Sequence, residues 1–477
     1  MRNRRSRDLY TAVVVAFLLT RVLFYLITTA GEYRLFKSYG DDVREQSLGD
    51  LYRNRDIEYP HLAVGFGAVV GWVADHSPGF LKHTVRLRPN KFEIPYAEES
   101  EAQHDADDQY EATLGLVLFI VDAWCFWLVF AIARRIYPSD SPPVRALRLF
   151  AYVLFTSSCG LILFDRQDLV LAWVALLAVW CLAADYARLG YAVLAFGAAY
   201  KLIPVLLLPV WCIAGATAKC PPGVTPLRWV LGIGKEAVIA GAMLAAWPLL
   251  TYFCGGGERG FLYLTWHTKR GLQLEAPAAF PVLLVDSTVE FGSSYGSFNL
   301  RGELPDRVAR FMGLMMPLSS LAGMAVAARG FWQRRDGRDL VPWAVVSAML
   351  IWLAFIAFNK VGSPQYMLWI APLAPLLPWR TLTEWKWAAV LLLGFFDTMV
   401  IYPCRYRADL VGDVLYEDPR TWYGPSTFGV VLLGIKSVIV VACSVAYFAI
   451  AWRMSRGLRA STGEIDSRQG SNAKPGD

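Results

Sequence analysis

The sequence predicts an all-α polytopic membrane protein, and three observations lead to this class. Of the 477 residues, 56% are hydrophobic, and the mean hydropathy is +0.37. Apolar runs recur near the length of roughly 20 residues that a helix needs to cross a bilayer. Lys and Arg cluster in the short loops between alternate runs, as in cytoplasmic loops. Open strands are excluded from the bilayer because lipid cannot satisfy a sheet edge.

The apolar runs predict about twelve spans. They lie near residues 9–30, 112–133, 145–164, 168–185, 189–203, 204–218, 229–253, 308–328, 340–358, 365–379, 384–402 and 426–452. The first run is long for a signal peptide, and no clean small-x-small cleavage site follows it, so we interpret it as an uncleaved span. The segment Lys201-Leu202-Ile203-Pro204 predicts a tight hairpin or kink between the fifth and sixth spans.

The spans and their loops form one predicted transmembrane domain, residues 1–458. A polar tail, residues 459–477, is rich in Ser and Gly and is predicted to be disordered. Positive charge in the short loops places both termini in the cytoplasm of a multi-pass protein, in the inner membrane if the cell is bacterial. The net charge of +6 fits this anchoring rather than nucleic-acid binding. The loop cations that set this topology include Arg134, Arg145, Arg188, Lys219, Arg228, Arg329, Arg380 and Lys386.

The first outer loop, residues 31–111, is long. Its apolar stretch from His61 to Ala74 is too short to span comfortably and predicts a helix lying in or dipping into the interface. If this stretch crosses the bilayer, the orientation of all later spans reverses. The acidic stretch from Glu98 to Glu111 is predicted to be a solvated surface segment.

In this topology the polar motifs lie together on the face away from the cytoplasm. They are Gly40-Asp41-Asp42-Val43, Asp56-Ile57-Glu58-Tyr59-Pro60, Asp165-Arg166-Gln167-Asp168, His267-Thr268-Lys269-Arg270 and the segment from Asn359 to Tyr366. Polar groups gathered at one interface of an apolar bundle predict a single site, built for a reaction between lipid-borne substrates.

The candidate proton acceptors are Asp41 and Asp42. A carboxylate there could deprotonate an acceptor hydroxyl or hold a cation that binds a phosphate. The alternative is a solvated loop start. Glu58 is a candidate for the site but not for the base, whereas Asp56 is better explained by capping of the helix that follows.

Four cations suit a substrate phosphate: Arg166, Lys201, Arg270 and Lys360. Each has a structural alternative, namely pairing of Arg166 with a neighbouring Asp, snorkelling of Lys201, a solvated loop around Arg270 and a plain Pro turn after Lys360. The candidates for orienting the substrates are Glu58, Asp168, His267, Glu275, Gln365 and Tyr366.

Two further features concern the spans and the cysteines. Asp122 lies inside the second span, where a carboxylate is functional or partnered, and it could tie helices together. Cys254 and Cys404 lie near outer loops, where they could pair, whereas the cysteines within apolar runs are interpreted as small core residues.

The order of these motifs resembles the GT-C superfamily of integral-membrane glycosyltransferases. Within it, the chain looks like the bacterial polyprenyl-phosphate-mannose-dependent mannosyltransferases and is similar to the enzyme that adds the first mannose to GPI anchors. The matching segments are Asp41-Asp42-Val43, Glu58-Tyr59-Pro60-His61-Leu62, Asp122, Arg166-Gln167-Asp168, Lys201-Leu202-Ile203-Pro204, Arg270 to Ala276 and Phe358 to Trp369. The last is the most specific.

The chain also departs from the family pattern. His61 replaces a second Pro and Ala276 replaces a Ser, while the acids at 41 and 42 are adjacent rather than spaced as in "-DxD-". The acidic stretch near 98–111 looks like an insertion. The adjacent acids leave open which carboxylate is the base and whether a divalent metal is needed.

The resemblance implies a GT-C-like bundle and a mechanism. Asp42, or else Asp41, deprotonates a lipid-linked or glycan acceptor, which attacks the donor sugar with inversion on the outer face. Arg166, Lys201, Arg270 and Lys360 stabilise the leaving polyprenyl phosphate, and His267 and Gln365 orient either substrate. Two alternatives stay open at this point: a transporter or flippase for a polar or lipid-linked solute, and a non-catalytic subunit that binds lipid-linked sugars.

Overall fold

The computed structural model describes residues 2–28, 33–86, 101–221, 223–266, 269–294, 297–335, 337, 339–379, 381–411 and 424–456, which are largely helical. The helices are α1 (Arg2–Ile27), α2 (Tyr33–Glu45), α3 (Leu48–Asn54), α4 (His61–Asp75), α5 (Leu81–Arg86), α6 (Glu101–Ile136), α7 (Pro142–Ser157), α8 (Leu169–Ala183), α9 (Ala187–Tyr200), α10 (Leu208–Ala218), α11 (Pro226–Thr251), α12 (Leu262–Trp266), α13 (Ala279–Val285), α14 (Glu303–Gln333), α15 (Leu340–Phe358), α16 (Met367–Ile370), α17 (Leu382–Met399) and α18 (Thr427–Arg456).

Within these ranges, seven helical segments are long and apolar enough to cross a bilayer, which confirms a multi-pass helical membrane protein. They are Ser6–Ile27, Asp105–Ile136, Pro226–Trp266, Glu303–Gln333, Leu340–Phe358, Leu382–Tyr406 and Thr427–Arg456. Other predicted spans are shorter or broken. The helix α8 has 15 residues, and the stretch predicted as a span at 365–379 consists of α16 and short 3-10 turns.

The helices α2 and α4 cross with their backbones in contact. A Cβ atom on Gly40 would lie 2.6 Å from the carbonyl carbon of Gly67, and one on Gly67 would lie 2.4 Å from the carbonyl oxygen of Phe36. Only glycine fits at these two positions. The predicted helix in the first outer loop is therefore present as α4, and it fixes α2, which carries Asp41 and Asp42.

The acidic stretch of the first outer loop is not a solvated segment where the structure describes it. Residues 101–111 form the first turns of α6, and Asp107, Asp108 and Glu111 are buried. Cations of α2 reach this region, since the Lys37 amine lies 3.4 Å and the Arg34 guanidinium 3.6 Å from the Asp107 carboxylate. The prediction of a solvated segment is wrong for these residues, and the ion pairs with Lys37 and Arg34 compensate the burial of Asp107.

A small antiparallel sheet lies between α12 and α14, outside the candidate spans. Its strands are β1 (Leu272–Gln273), β2 (Glu290–Ser294) and β3 (Ser297–Arg301), in the order β1-β3-β2. Leu272 pairs with Leu300, and both side chains are fully buried or nearly so. The sequence analysis did not predict these strands. They do not violate the bilayer rule, because it applies to sheet edges in lipid.

Asp122 is partnered inside the bundle. Its carboxylate lies 2.6 Å from the Arg21 guanidinium of α1, and both side chains have no exposed surface. Arg21 also donates to Ser157 over 2.9 Å, and the Tyr152 hydroxyl donates to Asp122. These contacts tie α1, α6 and α7 together. They agree with the interpretation that Asp122 links helices within the bundle.

The two cysteines that the sequence predicts near outer loops do not form a disulfide. Cys254 and Cys404 are both free and exposed, whereas Cys125, Cys159, Cys181, Cys212 and Cys443 are buried, as predicted for small core residues.

Candidate functional site

A cavity of about 170 Å³ lies where segments distant in the sequence meet. It receives residues from α2, from the chain before α4, from the turn before α8, from the end of α9 and from the segments around 270–275 and 363–366. Its lining includes predicted site residues from most of the motifs: Glu58, Arg166, Lys201, Arg270, Glu275, Gln365 and Tyr366. The residues that the sequence analysis missed are mainly Tyr263, Ser297, Tyr402 and Tyr406.

Arg166 is held at the cavity by two partners. Its Nε lies 3.1 Å from the Asp165 carboxylate, and its Nη2 donates to the Tyr402 hydroxyl over 2.7 Å. The alternative interpretation of Arg166, pairing with a neighbouring Asp, is therefore correct as a contact. The pairing also fixes the guanidinium against the cavity, so it does not exclude a role in binding.

The other two cavity cations are also oriented by carboxylates. Lys201 donates to both oxygens of Asp168, at 2.9 and 3.0 Å, and the Trp369 indole donates to the same carboxylate over 2.7 Å. Arg270 donates to Glu58 over 3.0 Å. Asp168 thus orients Lys201, and Glu58 orients Arg270 at the cavity wall.

Lys360 contacts the cavity wall through its backbone. The backbone carbonyl oxygen of Lys360 accepts a hydrogen bond from the backbone N–H of Gln273 over 3.0 Å. Burial, and then the positive charge of Arg270, lower the pKa of the Lys360 amine. The two cations are therefore neighbours, although Lys360 is not among the described residues that line the cavity.

A lysine of α18 holds two loops of the site together. A Cβ atom on Gly362 would lie 2.2 Å from the Glu275 carbonyl oxygen, so the backbones touch. The buried Lys436 amine of α18 donates to the carbonyl oxygens of Gly362, at 3.0 Å, and Glu275, at 3.3 Å. The sequence analysis missed Lys436, although a signal existed. It is a lone charge in an apolar run, where ionisable residues are functional candidates by default.

Glu275 is a buried carboxyl at the cavity. It is 3% exposed, and Gln273 donates to its Oε2 over 3.2 Å. Its Oε1 accepts no hydrogen bond from the part of the chain that the structure describes. Burial raises the pKa of Glu275, which favours the protonated form. A protonated Glu275 can donate a hydrogen bond to a ligand hydroxyl.

We expect Glu275→Gln to retain function and to change the pH dependence of stability. Below the ordinary pKa of a glutamic acid the wild type keeps its full stability, which is lost as the pH rises through the raised pKa of the folded protein. A glutamine cannot ionise, so the variant should not lose this contribution to stability as the pH rises. Melting temperatures in detergent from about pH 4 to about pH 9 measure the difference. A difference between the two proteins that is independent of pH would contradict the protonated carboxyl.

The two candidate bases lie on α2 beside the cavity rather than in its lining. Asp41 pairs with Lys37 at 3.0 Å and with Arg44, whereas Asp42 pairs with Arg55 at 2.6 Å. Leu35 of the same helix lines the cavity. Asp42 follows Leu35 by two helical turns on the same face, which is about 10 Å along the axis.

Two predictions about ligands remain without a structural test. His267 lies outside the described residues. Among the residues that are described, no group of three or more His, Cys, Asp or Glu side chains could hold a metal ion.

The cavity lining contains two kinds of polar group, cationic and neutral. Arg166, Lys201 and Arg270 supply positive charge and charge-assisted donors that suit a phosphate. Gln273, Gln365 and the other neutral polar groups suit hydroxyls. Comparison of the chain with family models and with curated proteins finds no match.

Proposed function

We propose that this chain is a membrane glycosyltransferase that moves a sugar, most readily mannose, from a polyprenyl phosphate to a lipid-linked or glycan acceptor on the non-cytoplasmic face. One observation carries the proposal. Cations from three distant segments, Arg166, Lys201 and Arg270, converge on a cavity that neutral polar groups also line. A sugar phosphate presents the complementary groups, namely a negatively charged phosphate and neutral hydroxyls.

In the proposed reaction a carboxylate, Asp42 or else Asp41, takes the proton of the acceptor hydroxyl. The hydroxyl oxygen forms a bond to the anomeric carbon, and the bond from that carbon to the phosphate oxygen breaks. Polyprenyl phosphate leaves with the bonding electrons, and the configuration inverts. Preorganised cations at the leaving oxygen lower the barrier because they act where charge develops.

The remaining residues have supporting roles in this proposal. Glu58 and Asp168 orient two of the cations, and Lys360 adds positive charge behind Arg270. Gln365, Tyr366 and His267 orient the substrates. About twelve spans with both termini in the cytoplasm would place all of these groups at the outer end of the bundle.

A transporter is the second candidate, and buried charges are the observation that favours it, because ionisable groups within spans mark solute pathways. The charges have structural partners here. Arg21 and Asp122 pair with each other, and Lys436 binds backbone carbonyls of the site. These contacts account for the charges without a pathway, so we favour the enzyme.

The test is sugar transfer in proteoliposomes that contain purified protein, radiolabelled polyprenyl-phosphate-mannose and extracted acceptor lipids. We expect label to enter the acceptor fraction, and Arg166→Gln to lower kcat/KM by about 10²-fold because a charge-stabilising donor is lost. Arg307→Gln, which removes an exposed cation of α14 outside the cavity, should have no effect. Label that crosses the membrane without entering any acceptor would instead identify a transporter.

A further inference from the structure

A second cavity, of about 620 Å³, lies among the ends of α9, α10 and α11. Its wall contains apolar residues together with four cations and two carboxylates. The charged lining residues are Asp185, Arg188, Lys219, Arg228, Lys235 and Glu236. The candidate functional site described above does not include any of them.

This cavity lies at the opposite end of the bundle from the candidate site. Ala187 and Arg188, at the start of α9, line the second cavity, whereas Lys201, directly after the end of α9, lines the first. A helix of 14 residues is about 21 Å long, so the two cavities lie near opposite surfaces of the membrane. Loop charge predicts that the second one faces the cytoplasm.

Two of the four cations are already paired. The buried Glu236 carboxylate lies 2.7 Å from the Lys219 amine and 3.5 Å from the Arg188 guanidinium. Arg228 and Lys235 are exposed and have no carboxylate partner among the described residues. The cavity therefore presents two cations that an anion can bind without displacing an internal partner.

The spacing of these cations on α11 suits a headgroup. Arg228 and Lys235 are seven residues apart, so they lie on one face of the helix about 10 Å from each other. Gly232 lies between them on the same face, and a Cβ there would approach only Ala216, at 3.8 Å. The absence of a side chain at Gly232 leaves room between the two charges.

The surface next to the cavity is apolar. Leu227, Val230 and Leu231 of α11 are each more than half exposed, as is Leu189 of α9. In the most apolar stretch of the span that contains α11, only 11% of the residues are buried inside the protein. This helix therefore faces lipid along much of its length. A soluble anion would make no favourable contact with this apolar surface, whereas the acyl chains of a lipid would pack against it.

We propose that this cavity binds the headgroup of an anionic phospholipid of the cytoplasmic leaflet. The lipid phosphate lies between Arg228 and Lys235, and its acyl chains lie along the exposed apolar face of α11. Basic pockets between helices at the cytoplasmic surface bind anionic headgroups in this way. The inference rests on this cavity alone and is independent of the proposed sugar transfer.

The test compares phospholipid binding to purified full-length protein in detergent by native mass spectrometry. The probes are phosphatidylglycerol, phosphatidylcholine and inorganic phosphate. We expect wild type to retain phosphatidylglycerol selectively, and Arg228→Gln/Lys235→Gln to bind it about 25-fold more weakly, roughly fivefold for each cation. The matched control is Lys386→Gln/Arg453→Gln, which removes two exposed cations outside the cavity and should bind as wild type does.

Each outcome is decisive. Equal retention of phosphatidylglycerol by wild type and Arg228→Gln/Lys235→Gln would overturn the proposal, as would an equal loss in the control variant. Binding of inorganic phosphate that displaces the lipid would assign the cavity to a soluble anion and would also overturn it. A melting temperature of Arg228→Gln/Lys235→Gln equal to that of wild type without added lipid would show that the variant is folded.

Discussion

Replacing Asp42 with Asn should lower sugar transfer by about 10²- to 10⁴-fold and leave the melting temperature nearly unchanged. Asparagine keeps the shape and a hydrogen-bond acceptor for Arg55, but it cannot take a proton. Asp42 is accessible to a substrate, because its side chain is 32% exposed and its described ion pair is with a single cation. The measurement is the initial rate of label transfer at saturating donor and acceptor.

Asp41→Asn is the matched control on the same helix. Asp41 bridges Lys37 and Arg44, and Arg44 also pairs with Asp75 of α4. We therefore expect its loss to lower the melting temperature while transfer by the folded protein persists. Undiminished transfer by Asp42→Asn would rule out Asp42 as the base, and loss in Asp41→Asn alone would assign the base to Asp41.

The second large effect is expected at the pair between Arg21 and Asp122. Arg21→Met would leave the Asp122 carboxylate buried without its cation, which costs about 3–5 kcal/mol. We expect a large fall of the melting temperature in detergent. Arg21→Met/Asp122→Leu removes both charges and should recover most of the loss, since a buried ion pair replaced by apolar groups is often neutral.

Arg307→Met is the control for this experiment. Its ion pair with Glu303 is largely exposed on both sides, so removing it should change stability by less than about 1 kcal/mol. If Arg21→Met and Arg307→Met melted at the same temperature, the buried pair would not hold α1 against α6.

The sequence predicts those features that depend on local composition. Apolar runs locate the long helices, and polar motifs locate most of the cavity lining, including Arg166, Lys201 and Arg270. A spacing argument cannot place a side chain relative to a cavity, and the structure has Asp42 on α2 beside the cavity rather than in its lining.

The misses share a cause, namely partners that are distant in the sequence. Asp107 looked solvated because its partners, Arg34 and Lys37, lie on another helix. Lys436 binds backbone carbonyls, which leave no pattern of side chains to recognise. The short strand β1 is fixed by pairing with β3 rather than by an alternation of its own residues.

The contact made by Lys436 has a consequence for biosynthesis. The carbonyl groups that it binds belong to Glu275 and Gly362, whereas α18 begins only at Thr427. A nascent chain can insert every earlier helix and still lack the contact that holds the two site loops together. The cavity therefore reaches its final geometry only after α18 has left the ribosome, and a ribosome-stalled intermediate that ends before α18 should lack the proposed sugar transfer.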